Sequence, residues 1–491
     1  MKKSVFKAVS LLLAFSLLVC VFTPAFAESS KDETPFRISV SVNGDTGTQR
    51  GFTWYTKDNT DSLIEINCEN AKITYKDVTE WQGNYCHQAV VAGLTPGETY
   101  EYTVGSKAVQ SDKGTFTTDN KDSEVNFIAI ADVQASSEEN FMKGLDTLLA
   151  AEETMPDADF TVNLGDFTNE SDNTEWDTYD KVFGTANMDY TIAPVAGNHD
   201  GFNRPYWFNN MFCLDTTESV QVKNGVNYSF DYGNCHIAVL NTNDMMSVTL
   251  AQMKWLKNDM NGTDKDWKIV AMHKSPYTLG KDGKWPDALY LSKSLTKVFD
   301  ECGVDLVMSG HDHQYIRTKA LKNNKLSDDG TVYVLAGTAG SKRYEIRKFL
   351  AGTYMRTSFI NTMIIQKNGY GNYWDGKSWD NTDEKNIGGC FNTVSVNGGK
   401  LTFNSYILSD ELTNADGSRL ITNTDTSTLT KETGKNKITF TGDNTTSEAE
   451  YNLSIIPSFC CLAVYAFGEW LPKFLYSVPA ILKSVIVDDT F

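Results

Sequence analysis

From about residue 125 the chain falls into a rhythm that few folds can accommodate. Short apolar runs recur as VNFIAIAD (125–132), DFTVNLGD (159–166), YTIAPVAGN (190–198), CHIAVLNT (235–242), WKIVAMH (267–273), VDLVMSGH (304–311) and VYVLAGT (332–338). Helical patterns fill several gaps, as in ENFMKGLDTLLAAEE, LAQMKWLKNDM and LSKSLTKVFDEC. Runs this short read as buried strands, and their alternation with helices gives βαβ units around a largely buried sheet, an α/β (α+β) layered domain. The residues that follow each strand's last apolar position then collect along one edge of the sheet, where open α/β sheets bind ligands.

Residues 36–118 follow a different pattern. RISVSVN, RGFTWYT, LIEINC and YEYTVG alternate between Gly, Asn, Asp and Thr clusters without helical periodicity, the signature of an all-β sandwich. In LTPGETYEYTV, Leu94, Pro96, Gly97 and Tyr100 resemble the tyrosine corner of fibronectin type III domains. His87 in this region reads as a packing or surface histidine.

The strand ends of the second region carry the chemistry. Asp132, Asp166, Asn198, His273, His311 and His313 each stand at or just past the end of an apolar run, with His199 and Asp200 close behind. The chain has 6 histidines, and four of them lie at these ends. Carboxylate oxygens together with imidazoles are a donor set for one or two divalent cations, and a shared carboxylate can bridge two. A lone strand-end Asp is commonly a cap or turn former, but GDF, GNHDG and GHDH in order leave little room for coincidence. His236 lies within a strand and reads as a core residue.

The ordered set Asp132, Gly165-Asp166, Gly197-Asn198-His199-Asp200, His273 and Gly310-His311-Asp312-His313 resembles the calcineurin-like metallophosphoesterases. Residues 36–118 resemble the amino-terminal domain of purple acid phosphatases, and the likeness runs to about residue 365. The resemblance implies a metallophosphoesterase sandwich with its metal site at the strand C-terminal ends. It implies Asp166 bridging two metals, Asn198, His273 and His311 completing one site, and Asp132 and His313 in the other. His199 is then the general acid and Asp200 its orienting partner. The implied activity is phosphate-ester hydrolysis by a metal-bridged hydroxide, most simply a phosphatase. A phosphodiesterase or nucleotidase using the same site and a non-catalytic binding protein on the same fold are the alternatives.

Two positions depart from the family pattern. Gln134 stands where a histidine is usual, and Asn169 where purple acid phosphatases carry a metal-binding tyrosine. Gln134 offers one amide oxygen as a weak ligand, or a hydrogen bond from behind the ligands, and no imidazole lone pair. The Asp132 site is therefore oxygen-rich and suits manganese, iron(II) or magnesium better than zinc. The two divalent ions expected are Mn, Fe or Zn.

Composition sets the context. The start, MKKSVFKAVSLLLAFSLLVCVFTPAFA, reads as a secretory signal peptide over residues 1–27, which predicts a secreted or cell-surface protein. Its removal takes away Lys2, Lys3 and Lys7, moving the formal charge from −19 to about −22. So acidic a surface argues against nucleic-acid binding and leaves any anionic substrate dependent on bound cations. Cys68 with Cys86, or Cys213 with Cys235, are candidate disulfides, against buried free thiols. The phosphoesterase domain is expected over 122–408, a polar linker of little order over 409–450, and an apolar tail over 451–491 that offers possible membrane association. RYEIRKFLAGTYMR and GYGNYWDGKSW read as cover for the sheet or as cleft walls. Oligomeric state is not legible.

Overall fold

The computed structural model describes residues 31–200, 207–216, 226–243, 247–278, 286–344 and 388–431, with short strands at 363–366, 373–374, 379–380 and 438–440. The expected signal segment over residues 1–27, the apolar tail and most of the two aromatic-rich stretches lie outside the described residues.

A three-stranded sheet of Leu63–Ile66, Thr99–Gly105 and Gly114–Thr117 completes the amino-terminal sandwich, and two large sheets stack face to face. The smaller has seven strands, in which Cys235–Leu240, Trp267–Lys274, Leu306–Gly310 and Val332–Ala336 run parallel and Tyr228–Tyr232 and Tyr315–Thr318 add antiparallel strands. The larger has twelve, centred on the parallel strands Glu124–Ile130, Phe160–Asn163 and Thr191–Pro194. Phe127, Ile130 and Val162 from one sheet and Ile269, Met308 and Val334 from the other belong to one continuous buried core. Burial at 25 cal/mol per Å² of apolar area is what holds the two layers face to face.

The amino-terminal sandwich is not a separate bead. Its first strand, Phe36–Ser41, pairs antiparallel with Gln49–Thr56 on one side and parallel with Thr191–Pro194 on the other, Val40 facing Thr191 and Ser41 facing Ile192. One sheet thus runs from the sandwich into the layer whose strand ends carry the donor residues and fixes their relative position. The tyrosine-corner contact is present, with the Thr95 N–H donating to the Tyr100 hydroxyl at 2.8 Å. His87 is fully buried, its ring stacked on Trp54 with centroids 5.2 Å apart and bonded to the Thr56 and Ser62 hydroxyls.

Helix Glu138–Thr154 starts at Ser137, whose side chain accepts from the Asn140 N–H, and buries Phe141, Leu148 and Ala151. Helix Asn173–Asp189 is not prominent in the sequence, because Thr, Asp and Asn interrupt its apolar face of Trp176, Tyr179 and Phe183.

One expectation is corrected and one open alternative is resolved. Residues 409–450 are not simply a polar linker, since Lys400–Thr413 and Arg419–Lys431 form long antiparallel partners beside Gly388–Asn397. Threonines at 426, 428 and 430 occupy one face of Arg419–Lys431, while Asp425, Ser427 and Leu429 turn inward. Such polar strands form because β-branched residues favour the pleated backbone. The thiols of Cys68, Cys86, Cys213, Cys235, Cys302 and Cys390 are free, so neither candidate disulfide is formed.

Candidate metal centre

The loops that follow the strands turn their donors towards one point. Asp132, Gln134, Asp166, His311 and His313 all have positive φ, at 54°, 35°, 55°, 81° and 49°. Residues with side chains rarely adopt this left-handed backbone, at a cost of about 1–2 kcal/mol each. Surrounding contacts hold it in place. The Asp132 N–H donates to the Gly165 carbonyl and the Gln134 N–H to the Asp166 carbonyl, zipping the first two loops together. Gly165, with φ of 99°, and Gly197 let the second and third loops approach, and a Cβ on Gly197 would stand 2.1 Å from Asp166 Oδ1.

The result is two overlapping donor groups, Asp166 with His273 and His311, and Asp132 with Asp166 and His313. Within each group the ligand-type atoms lie within 4.8 Å of one another. Asp166 belongs to both. The His273 Nδ1–H donates to the Leu164 carbonyl at 2.8 Å, which leaves Nε2 facing Asp166 Oδ2 at 3.2 Å and Asn198 Oδ1 at 3.1 Å. The His313 Nδ1–H likewise donates to the Lys342 carbonyl, with Nε2 3.7 Å from Asp132 Oδ1. A ring anchored through Nδ1 presents its other lone pair to a metal in a fixed direction.

The electrostatics call for a cation. Asp132 and Asp166 are 0% and 1% exposed, and two carboxylates so placed are costly without positive charge. Burial pushes the Asp132 carboxyl well up. Burial acts on Asp166 in the same sense, but the adjoining His273 outweighs it and holds that carboxyl below the ordinary range. Burial also drives His311 well down and His313 to about 3, keeping both rings neutral and able to ligate. The Gln134 amide oxygen is buried and has no hydrogen-bond partner, while its amide nitrogen reaches Asn169 Oδ1 at 3.4 Å. An orphaned buried acceptor among carboxylates fits a hard cation, so the residues present suit the metals that the fold family uses.

Each predicted site residue lies at this edge except in one relationship. Asp200 does not orient His199. Its Oδ2 accepts from the Asp166 N–H at 2.7 Å and the Gly197 N–H at 2.8 Å, and its Oδ1 from the Phe167 N–H at 2.8 Å. The loops that bring Asp166 into place leave backbone donors buried, and Asp200 is the acceptor that satisfies them. His199 instead places Nδ1 2.5 Å from the Asn169 carbonyl oxygen, and its backbone N–H donates to Asp166 Oδ1 at 2.8 Å. Neither Asn169 as a backbone acceptor nor the brace behind it is visible from residue types; only the Asp172–Glu175 spacing hints at a helix start.

The fold and the strand-end site define a metallophosphoesterase, a metal-dependent hydrolase of phosphoric esters. Residues 125–315 match the calcineurin-like phosphoesterase family and residues 35–118 the purple acid phosphatase N-terminal domain, so the chain carries a calcineurin-like phosphoesterase domain preceded by a domain of that amino-terminal type. Purple acid phosphatase 18 of Arabidopsis thaliana is 22% identical over 341 residues, 66% of this chain and 75% of that protein. Purple acid phosphatase 15 of the same plant is 23% identical over 175 residues, and the match spans only 32% of its length. The structure of purple acid phosphatase PPD1 from yellow lupin (Lupinus luteus) superposes with a TM-score of 0.58 at 14% identity, covering 82% of this chain and 75% of that one. A structure of PhoD gives 0.55 at 11% identity, covering 92% and 100%. At these identities the structural likeness shows the fold.

Proposed function

We propose that the protein is a secreted phosphatase with a dinuclear centre to which Asp166 would contribute at both sites. Asn198, His273 and His311 would help hold one ion, and Asp132, His313 and the Gln134 amide oxygen the other. The observation that carries this reading is the membership of Asp166 in both donor groups. Bound cations would supply Lewis acidity to the phosphoryl oxygens and lower the pKa of the attacking water.

The chain's own residues do the rest. Asp200 holds the Asp166 loop through the N–H groups of Asp166 and Phe167 and accepts from the Gly197 N–H of its own turn. His199 lies beside Asp166 and half-buried, and in this reading it gives its Nε2 proton to the departing alkoxide. The substrate is a small phosphate ester, and export rests on the signal-like start. The metals expected are Mn, Fe or Zn, with Gln134 favouring the harder ions at the Asp132 site.

The test is hydrolysis of a chromogenic phosphate monoester with added Mn²⁺, set beside a diester. The reading requires monoester turnover that Asp166→Ala abolishes. Turnover of the diester alone would move the assignment to a phosphodiesterase, and an Asp166→Ala protein as active as the parent would remove the site.

A further inference from the structure

The carbonyl that receives the His199 ring belongs to the peptide unit joining Asn169 to Glu170. The N–H of that same unit points the opposite way, as in any planar trans peptide, and donates to Glu175 Oε2 at 2.5 Å. The atoms therefore run in one line: Glu175 carboxylate, Glu170 N–H, Asn169 carbonyl, His199 Nδ1–H, with 2.5 Å at each hydrogen bond. A carbonyl has no proton to give, so Nδ1 must carry the hydrogen, and Nε2 is left as the ring nitrogen that faces chemistry.

We propose that Glu175 is the carboxylate partner of His199, acting through this single peptide unit; the inference rests on the reading of His199 as proton donor. A carboxylate bonded to the amide N–H polarises the amide and strengthens its carbonyl as an acceptor for the imidazole. Glu175 is thus a positioning residue doing, one peptide removed, what a directly bonded carboxylate does in other His-dependent sites.

The setting is built for rigidity. Glu175 is 6% exposed, and its Oε2 also accepts from the Ser171 N–H at 3.0 Å. Its own N–H donates to Asp172 Oδ1 at 3.0 Å, the N-cap bond of helix Asn173–Asp189, while its carboxylate takes the N–H groups of the two residues before the cap, which anchors it. Upstream, the Asn169 N–H donates to the Ala135 carbonyl at 3.1 Å. Ser171, itself left-handed with φ of 55°, donates its hydroxyl to the Asp200 carbonyl at 3.3 Å and accepts from Trp176 Nε1 at 3.0 Å. A helix cap alone needs one of these bonds; the line to His199 uses the one that a cap does not require.

The experiment compares Glu175→Ala, Glu175→Gln and Glu175→Asp in the Mn²⁺-loaded full-length protein. The substrates are an alkyl phosphate, whose leaving group needs a proton, and an activated aryl phosphate, which does not. In Glu175→Ala the alkyl ester should slow by about 10- to 10²-fold and the aryl ester by no more than about threefold, with metal content unchanged. Glu175→Gln keeps an acceptor oxygen but loses the charge, and should keep a selective loss on the alkyl ester smaller than that of Glu175→Ala, whereas full recovery of the alkyl rate would overturn the carboxylate's role. Glu175→Asp keeps charge and fold but is one methylene too short, and should show the same selective loss, which keeps the test open if the alanine variant does not fold. In a His199→Ala background, Glu175→Ala should slow the alkyl ester no further. Equal slowing of both esters, or no slowing, in Glu175→Asp would overturn the proposal. If His199→Ala itself fails to discriminate the two esters, the proton-donor reading falls; if it discriminates and the Glu175 variants do not, only the role of Glu175 falls.

Discussion

Asp200 directs its carboxylate at the backbone N–H of Asp166, 2.7 Å away, and so works on the residue that the metals are proposed to share rather than on its neighbour His199. The short turn Gly197–Asp200, closed by the Asp200 N–H to the Gly197 carbonyl, sends the two side chains to different partners. The order of residues in GNHD gives no hint of this.

Gly197 is the tightest point of that arrangement. A methyl group there would meet Asp166 Oδ1 at 2.1 Å, the Asp166 N at 2.2 Å and Asp200 Oδ2 at 2.8 Å. Gly197→Ala should therefore cost about 1–3 kcal/mol of stability and displace Asp166. Elemental analysis and thermal melting of the folded variant check this; full metal content at an unchanged melting temperature would contradict it.

Gln134 sets ion preference at the Asp132 site in the proposed reading. Gln134→His replaces a lone amide oxygen by an imidazole and should raise Zn²⁺ affinity relative to Mn²⁺ by about 10-fold or more. Competition of the two ions followed by calorimetry measures this directly. An unaltered preference would mean that the orphaned oxygen meets something other than a metal.

How much of this could be read beforehand depends on what fixes each residue. Asp132, Asp166, Asn198, His273, His311 and His313 come together because the strand pattern alone sends them to one edge, and that pattern is plain in the sequence. The partner of His199 depends on where a backbone carbonyl points, which no residue type encodes. Asp425 was hidden for a related reason. In a Thr-rich stretch it looked like solvated polar chain, yet the period-two placement of threonine puts it inward.

Asp425 makes a two-point contact with Arg317, Nε to Oδ2 at 2.5 Å and Nη2 to Oδ1 at 2.9 Å, and accepts from the Tyr315 hydroxyl at 2.6 Å. These bonds tie the outer strand Arg419–Lys431 to the seven-stranded sheet just beyond His313. Asp425→Ala removes the two-point contact from a buried guanidinium and should destabilise the fold by about 3–5 kcal/mol. Urea unfolding measures it, and a change below about 1 kcal/mol would show that the pair is dispensable.

His236, expected as an ordinary core residue, is clamped between Asp231 at 2.7 Å and Asp259 at 2.9 Å. Burial pulls its pKa down, but the two carboxylates outweigh burial and raise it from 6.5 to about 9. A group whose folded pKa is raised stabilises fully below its unfolded value and loses that contribution as pH climbs through the folded value. The parent should therefore lose about 2 kcal/mol more than His236→Gln between about pH 6 and pH 10, the half-exposed Asp231 being partly screened. Parallel urea titrations at the two pH values decide it, and identical losses would sink the prediction.

The central claim is that the strand-end donors form one centre shared through Asp166. Its most direct test is elemental analysis of the protein reconstituted with Mn²⁺, beside Asp166→Asn treated in the same way. The parent should hold about two ions per chain and the variant should lose metal from both sites, because one residue would serve each. A parent that takes up no metal, or an Asp166→Asn protein that keeps both ions, would contradict it.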